Sequence, residues 1–342
     1  MSIRLVGKGI VMTQALVDNR RNAWKRGGTA VQGTSASAVA REAGLDWEVK
    51  TVPLQGYVDS SVNKYESVTD YYPVPNRQGI LKLDKNHNNS IIGIVGSKYK
   101  IVQNMEVFGA LDTLIESGDA RYSAAGEYNG GANVWMLMEL PNGVTVANDP
   151  HVAYLLAKTS HDGSCSVIIR PIIERIWCAN QIGRMINAKS KPLMYKMKHT
   201  TNAELSVSDI RNITSITYMA IEEYELTAKQ LLQRSVDKQK ATSIFKKVWA
   251  LPPEVEDIPA HFLSQGQRRQ QTIAYAARDK AWAIYNDSPT QENIKGTAFG
   301  VWQAVIEYAD HYASGGENKR TLATISGSND RLKTKALALA FA

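Results

Sequence analysis

The chain has 342 residues, of which 44% are hydrophobic and 21% charged, enough apolar material for one large domain or two ordinary ones and too much for a disordered tail. Its 40 Lys and Arg against 33 Asp and Glu give a net charge of +7 and a pI near 9.2. Two cysteines, Cys165 and Cys178, are too few for a disulfide scaffold and fit a reducing cytoplasm, and no apolar run approaches the ~18 residues that span a bilayer, so neither secretion nor a membrane partner is expected.

The excess charge is local. Residues 1–164 hold 16 basic and 16 acidic side chains, and residues 204–342 hold 17 and 16. Residues 165–203 hold Arg170, Arg175, Arg184, Lys189, Lys191, Lys196 and Lys198 against Glu174 alone, a net of +6. Such a stripe is the electrostatic footprint of a polyanion partner, although a solvated helix face followed by a basic loop has the same composition.

Residues 1–45 mix Gly, Ser, Ala and charges and read as a flexible arm with one short helix over 37–43. Arg20, Arg21, Lys25 and Arg26 surround Trp24 there, either to contact phosphate or to keep the arm solvated. From Asp46 to Val95, WEVKTVPL, GILKLD and NNSIIGIVG are β-branched runs separated by Gly, Pro and Asn, the punctuation of strands. Met105, Phe108, Leu111, Leu114 and Ile115 then recur at helical spacing, with Asn104 as the expected N-cap and Gly118 as the stop.

Two runs joined by Asn129-Gly130-Gly131 predict an antiparallel hairpin, because this step supplies the positive φ of a tight turn. HVAYLLAKTSH and SCSVIIRP add two strands around the turn at His161-Asp162-Gly163-Ser164. Pro171 then opens a predicted helix with Ile172, Ile176, Ala179, Gly183 and Ile186 on one stripe, and Trp177, Asn180 and Arg184 on the polar side. Residues 201–342 read as helical: a long helix capped by Ser206 or Ser208 and stopped by Pro252-Pro253, two more ended by Ser288-Pro289 and Gly315-Gly316, and a short one in the tail. The expected fold class is α+β: an antiparallel β-sheet with packed helices over 46–200, followed by an all-helical C-terminal part over 201–342 that serves oligomer or partner contacts.

Catalytic and metal patterns are weak. The histidines His87, His151, His161, His199, His261 and His311 form no HxxxH or HExxH pattern, and the cysteines lie 13 apart, so no zinc set emerges. The segment from Gly93 to Lys98 lacks the spacing of a phosphate loop. His161, Asp162, Ser164 and Cys165 adjoin, but sequence neighbours rarely reach triad geometry, and a side-chain-bonded turn explains them. Asp310-His311 has the reverse order of the HD-type phosphohydrolase pair. On the basic segment, by contrast, an exposed Trp177 beside Arg184 suits a single strand, the ring stacking a base while guanidinium holds phosphate; Trp177 packed under a neighbouring helix is the competing reading.

Three blocks, GIVGSKYKIVQNMEVFGALDTLIESGDARYSAAGEYNGGANVWMLMELP, KTSHDGSCSVIIRPIIERIWCANQI and GTAFGVWQAVIEYADHY, resemble in order an uncharacterised phage- and plasmid-associated family known only as a domain of unknown function. The matching positions are Gly96, Tyr99, Gln103 and Asn104; His161, Asp162, Gly163, Arg175, Cys178 and Asn180; and Gly296, Thr297, Tyr308, Asp310 and His311. That family brings no established catalytic residues. At the level of fold, the expected sheet, basic stretch and helical end are similar to the phage single-strand annealing proteins of the Red-beta type and their Rad fifty-two counterpart, whose rings or filaments hold single-stranded DNA by its backbone. The resemblance implies a single-stranded DNA-binding and annealing protein, a homo-oligomer needing no cofactor, ATP or metal, with a phage exonuclease or a single-strand binding protein as a further partner. The phosphate contacts expected are Lys98, Lys100, Arg170, Arg175, Arg184, Lys189 and Lys191, with Tyr99 and Trp177 as stacking groups; Arg175 falls nearer the apolar stripe, and a buried structural arginine is its competing reading. The rival expectations are a hydrolase or nucleotide-modifying enzyme built on His161, Asp162, Asp310 and His311, and a host-takeover protein whose basic patch meets an acidic partner.

Overall fold

A computed structural model describes residues 23–63, 66–85, 88–176, 180–182, 193–199 and 206–342. Its centre is a mixed-length antiparallel sheet in the order β1-β5-β6-β8-β9-β10, where β1 is Thr29–Ala30, β5 Arg121–Tyr128, β6 Asn133–Glu139, β8 Asp149–Ser160, β9 Val167–Arg175 and β10 Asn180–Ile182. Two further strands attach to it: β7 (Val144–Val146) to β8, and β11 (Tyr195–Met197) to β9. A second, three-stranded antiparallel sheet consists of β2 (Glu48–Asn63), β3 (Glu66–Leu83) and β4 (Ser90–Gly96). The α+β class and the helical C-terminal part are therefore as expected.

The hairpin at Asn129 forms as its residues dictate. Asn129, Gly130 and Gly131 all take positive φ, of 55°, 66° and 99°, and Tyr128 pairs with Asn133 across them. In β6, Val134 to Met138 are all buried, so this strand is covered on both faces, as its two-sided apolar pattern requires.

The helix predicted from Pro171 is a correction: β9 runs straight through Pro171 to Arg175, paired with β8 from His151↔Arg175 to Lys158↔Ile168. The run V-I-I-R-P-I-I-E-R is β-branched, and its alternation outweighs the helical stripe that begins in it. Proline is tolerated because β10 covers residues 173–175 and β11 covers 167–169 of the outer edge, leaving Pro171 in the gap where no ladder bond is lost on that side. The predicted helix after Lys100 divides into α3 (Asn104–Gly109) and α4 (Asp112–Glu116). Its N-cap is Gln103, in a capping box with Glu106, and not Asn104.

Helices lie on both faces of the large sheet. On one face pack α2 (Ala36–Glu42), α3, α4 and the start of α5 (Val207–Leu232), around Met136, Met138, Leu155, Ala157 and Ile169. On the other, Trp24 of α1 (Ala23–Gly27) meets Trp135 edge-on at 4.9 Å, beside Leu137, Leu156 and Ile325 of α9 (Gly316–Ser326). Arg26 Nε donates to Thr321 Oγ1 at 3.2 Å, and a Cβ on Gly27 would lie 2.3 Å from Ile325 Cδ1. The described part of the expected arm, from Ala23 to Leu45, is thus packed, with Trp24 1% exposed.

The helical part opens on Ser206, one of the two caps expected. Ser206 forms a capping box with Asp209 at α5, and the expected long helix breaks at Ser235, which bridges Thr297, before Asp237 caps α6 (Lys238–Val248). Ser264 caps α7 (Gln265–Asp287), and Thr297 caps α8 (Ala298–Glu307), which is buried along its whole length. α9 and α10 (Asp330–Phe341) complete it. Its core includes Val144, Val146, Ile173 and Ile182 from the sheet, so apolar packing is continuous across residue 200. Among the described residues no helix is long and apolar enough to cross a membrane.

Candidate nucleic-acid interface

Three segments distant in sequence meet where β4 ends: the loop Ser97 to Lys100, the β8–β9 turn and the end of β11. Tyr99 joins them. Its hydroxyl donates to the Ser160 carbonyl at 2.8 Å and lies 3.2 Å from His199 Nδ1, and its ring stacks on His199 at 5.0 Å and 19°. Burial, and secondarily the charge of Asp162, push the Tyr99 phenol well above its ordinary pKa, so it stays protonated as a donor. Lys98 and Lys100 flank the stack from the loop, Lys196 and Lys198 flank it from β11, and all four are exposed. Arg77, also exposed, pairs with Gly96 at the same end of β4.

The β8–β9 turn is held from within. Asp162 Oδ1 accepts from the Ser164 amide at 2.9 Å, Gly163 takes φ 75°, and Ser160 Oγ donates to the Cys165 carbonyl at 2.8 Å while accepting its amide at 2.9 Å. The turn rests on β4 at Gly93, where a Cβ would lie 2.6 Å from Asp162 Cα. Gly93→Ala is therefore expected to lower stability by about 1–3 kcal/mol, read as a lower denaturant midpoint, since backbone must move to admit the methyl group. An unchanged midpoint would show that the turn yields freely.

His161 is fully buried. Asn104 Nδ2 donates to the Leu45 carbonyl at 3.0 Å, so its Oδ1 is the acceptor facing His161 Nε2 at 2.9 Å, and that nitrogen carries the proton. Trp47 meets the imidazole edge-on at 5.4 Å. Burial first, then the His199 charge, pull the His161 pKa down to about 4. Asp310 is likewise buried, ion-paired with Lys333 at 2.7 Å and accepting from Thr324 and Asn329. His161 and Asp310, one from each pair behind the hydrolase expectation, are thus buried among different partners.

The basic window divides in the structure. Arg175 is fully buried, paired with Asp149 through Nε and donating from Nη2 to the Thr290 carbonyl at 2.6 Å. Arg170 pairs with Asp330 at 2.8 Å, the two side chains 12% and 10% exposed. Neither guanidinium is presented to a ligand, which corrects both expectations: each charge is matched by a buried carboxylate. Lys98 and Lys100 are exposed in one loop, while Tyr99 between them turns inward, its ring already stacked on His199, which corrects its expected role as a free stacking group. Trp177, Arg184, Lys189 and Lys191 lie outside the described residues. Sequence reasoning missed His199, a hundred positions from Tyr99, and the role of Asn104, whose position before an apolar run reads as a cap. Lys196 and Lys198 were visible as charge alone.

The fold and this junction define a helix-covered antiparallel α+β protein whose family landmarks, Tyr99, Asn104, His161 and Asp162, converge on one site. The chain belongs to the family described as "Domain of unknown function (DUF932)", whose model matches residues 91–337. Searches of curated proteins and of solved structures returned no match.

Proposed function

We propose that this chain binds single-stranded DNA by its phosphate backbone, in the bacterial host cytoplasm, and works as a homo-oligomer that anneals complementary strands without ATP. The observation that carries this reading is the gathering of exposed Lys98, Lys100, Lys196 and Lys198 around the Tyr99–His199 stack. Two runs a hundred positions apart supply it, tied by the Lys100 amide donating to the His199 carbonyl. Lysines spaced along a surface track phosphates irrespective of base, and they need no base-edge donors. Arg184, Lys189 and Lys191 are added on sequence charge alone.

The test is the salt dependence of affinity for an unrelated single strand, read by fluorescence anisotropy. Four neutralised phosphates predict a log–log slope near −2.8, roughly a fifty-fold loss between 50 and 200 mM salt. Lys98→Glu with Lys100→Glu is expected to flatten that slope by about 1.4. Affinity indifferent to salt, or equally strong binding by the double variant, would sink the proposal. The same preparations, mixed with complementary strands, show whether annealing follows binding.

A further inference from the structure

The outer face of the three-stranded sheet is apolar and exposed. Gly79 lies at its centre: a Cβ there would meet Leu54 Cδ2 at 3.0 Å, Val52 Cγ2 at 3.1 Å and Ile91 Cδ1 at 3.3 Å, so those side chains share its face. Ile94 is the cross-strand partner of Gly79 and points the same way. Ile91 and Ile94 are 49% and 60% exposed.

Beyond this face β4 ends its pairing at Arg77, and β2 and β3 continue alone as a ribbon. The register breaks between Pro53 and Gln55, and then Gly56 faces Tyr72 and Tyr57 faces Tyr71. Tyr57, Tyr71 and Tyr72 are 66%, 64% and 56% exposed. Adjacent strand residues point to opposite sides, so Tyr71 and Tyr72 place aromatic rings on both sides of the ribbon. A lone two-stranded ribbon is marginal in water, and large apolar exposure of this kind marks a contact surface.

Charge and chemistry together select the occupant. Asp70 is exposed beside Tyr71, a negative charge that opposes phosphate and suits a basic rim. A surface of matching apolar character, rimmed by exposed Lys50, Arg77 and Lys98, lies on the same molecule around Gly79.

We propose that the tyrosine ribbon of one copy docks on the outer face of the three-stranded sheet of a second copy. Ribbon and face are different patches, so the contact is heterologous, and its repetition builds a ring or an open filament. This rests on the assembly half of the proposed function and requires no nucleic acid.

Sedimentation velocity without nucleic acid tests it on three proteins: the wild type, a ribbon variant (Tyr57→Ser, Tyr71→Ser, Tyr72→Ser) and a face variant (Ile91→Lys, Ile94→Lys). The substituted side chains are exposed, and circular dichroism with a melting curve confirms that each variant is folded. The wild type is expected to form multimers, each variant alone to be monomeric, and an equimolar mixture of the two variants to stop at a heterodimer, because one intact ribbon and one intact face remain. A monomeric wild type, a mixture that stays monomeric, or a ribbon variant of unchanged mass that loses single-strand binding would each overturn the proposal. Lys196→Glu with Lys198→Glu, in the lysine site and away from the docking face, keeps the wild-type mass, which separates failure of the lysine site from failure of the ribbon contact.

Discussion

Arg175→Ala is expected to destabilise the protein by about 3–5 kcal/mol while leaving the single-strand affinity of the folded fraction unchanged. The guanidinium is the counter-charge of Asp149, itself fully buried, and Arg175 also satisfies the Thr290 carbonyl. Thr290 in turn donates through Oγ1 to Glu307 at 2.6 Å, so the pair bolts the large sheet to the turn between α7 and α8. Burial pushes the Asp149 carboxyl above its ordinary pKa, and the Arg175 charge opposes that shift. Without Arg175 the carboxylate must ionise in an apolar interior or take up a proton, and either costs stability. Pairing Arg175→Met with Asp149→Leu removes both charges and is expected to recover much of the loss. Denaturant midpoints of the three variants measure this. Wild-type stability combined with lost DNA affinity would return Arg175 to the interface.

Acid is expected to unfold the protein early, and His161 is one identifiable cause. Its pKa is about 4 in the native state against 6.5 for an ordinary imidazole, and that of His151 is pulled to about 3 by burial and the adjacent Arg175 charge. Both are neutral when folded at pH 7. Between pH 6.5 and 4 the unfolded chain holds more protons at these sites than the native one, so stability present above pH 6.5 drains away as pH falls. Each group contributes about 1.4 kcal/mol per pH unit over its window, or about 3 kcal/mol for His161 by pH 4. His161→Gln keeps an N–H donor for Asn104 but cannot titrate, so its stability should fall about 3 kcal/mol less over that interval. Unfolding curves in denaturant at successive pH values give the comparison. Parallel pH profiles for the two proteins would show that His161 is solvated.

Much of the fold was legible because strand and turn chemistry is local. The β-branched runs between Asp46 and Val95, the Asn129-Gly130-Gly131 step and the Ser206 cap all act within a few residues, and they produced strands, a hairpin and a helix start where expected. The error at Pro171 was also local: proline before spaced isoleucines satisfies a helix-start pattern, and only the pairing of β9 with β8, β10 and β11 decides for strand. The ribbon escaped notice because its distal sequence, YVDSSVNKYESVTDYY, is mostly polar, so its pairing rather than a buried face makes it a strand. At the site, position in sequence reported charge but not access. Arg170 and Arg175 belong to the most basic window of the chain, yet their carboxylates lie 160 and 26 residues away and are invisible to any count of charge. Lys98 and Lys100 stayed accessible because they sit in a loop whose intervening Tyr99 turns inward to Ser160.

The contact between α1 and α9 sets the order in which the protein can be finished. Arg26 and Thr321 are 295 positions apart, and Trp24, Trp135 and Ile325 close one apolar cluster. During synthesis at 5–20 residues per second, Trp24 and the strand carrying Trp135 therefore wait about 15 to 60 s after Trp24 is made before the helix that covers them exists. The last strand, β11, is complete at Met197, so for about the final 6 to 26 s of that wait one face of the large sheet is complete in sequence but bare. A nascent chain released before Ile325 has its hairpins and most of its helices, and still lacks the piece that keeps two tryptophans out of water.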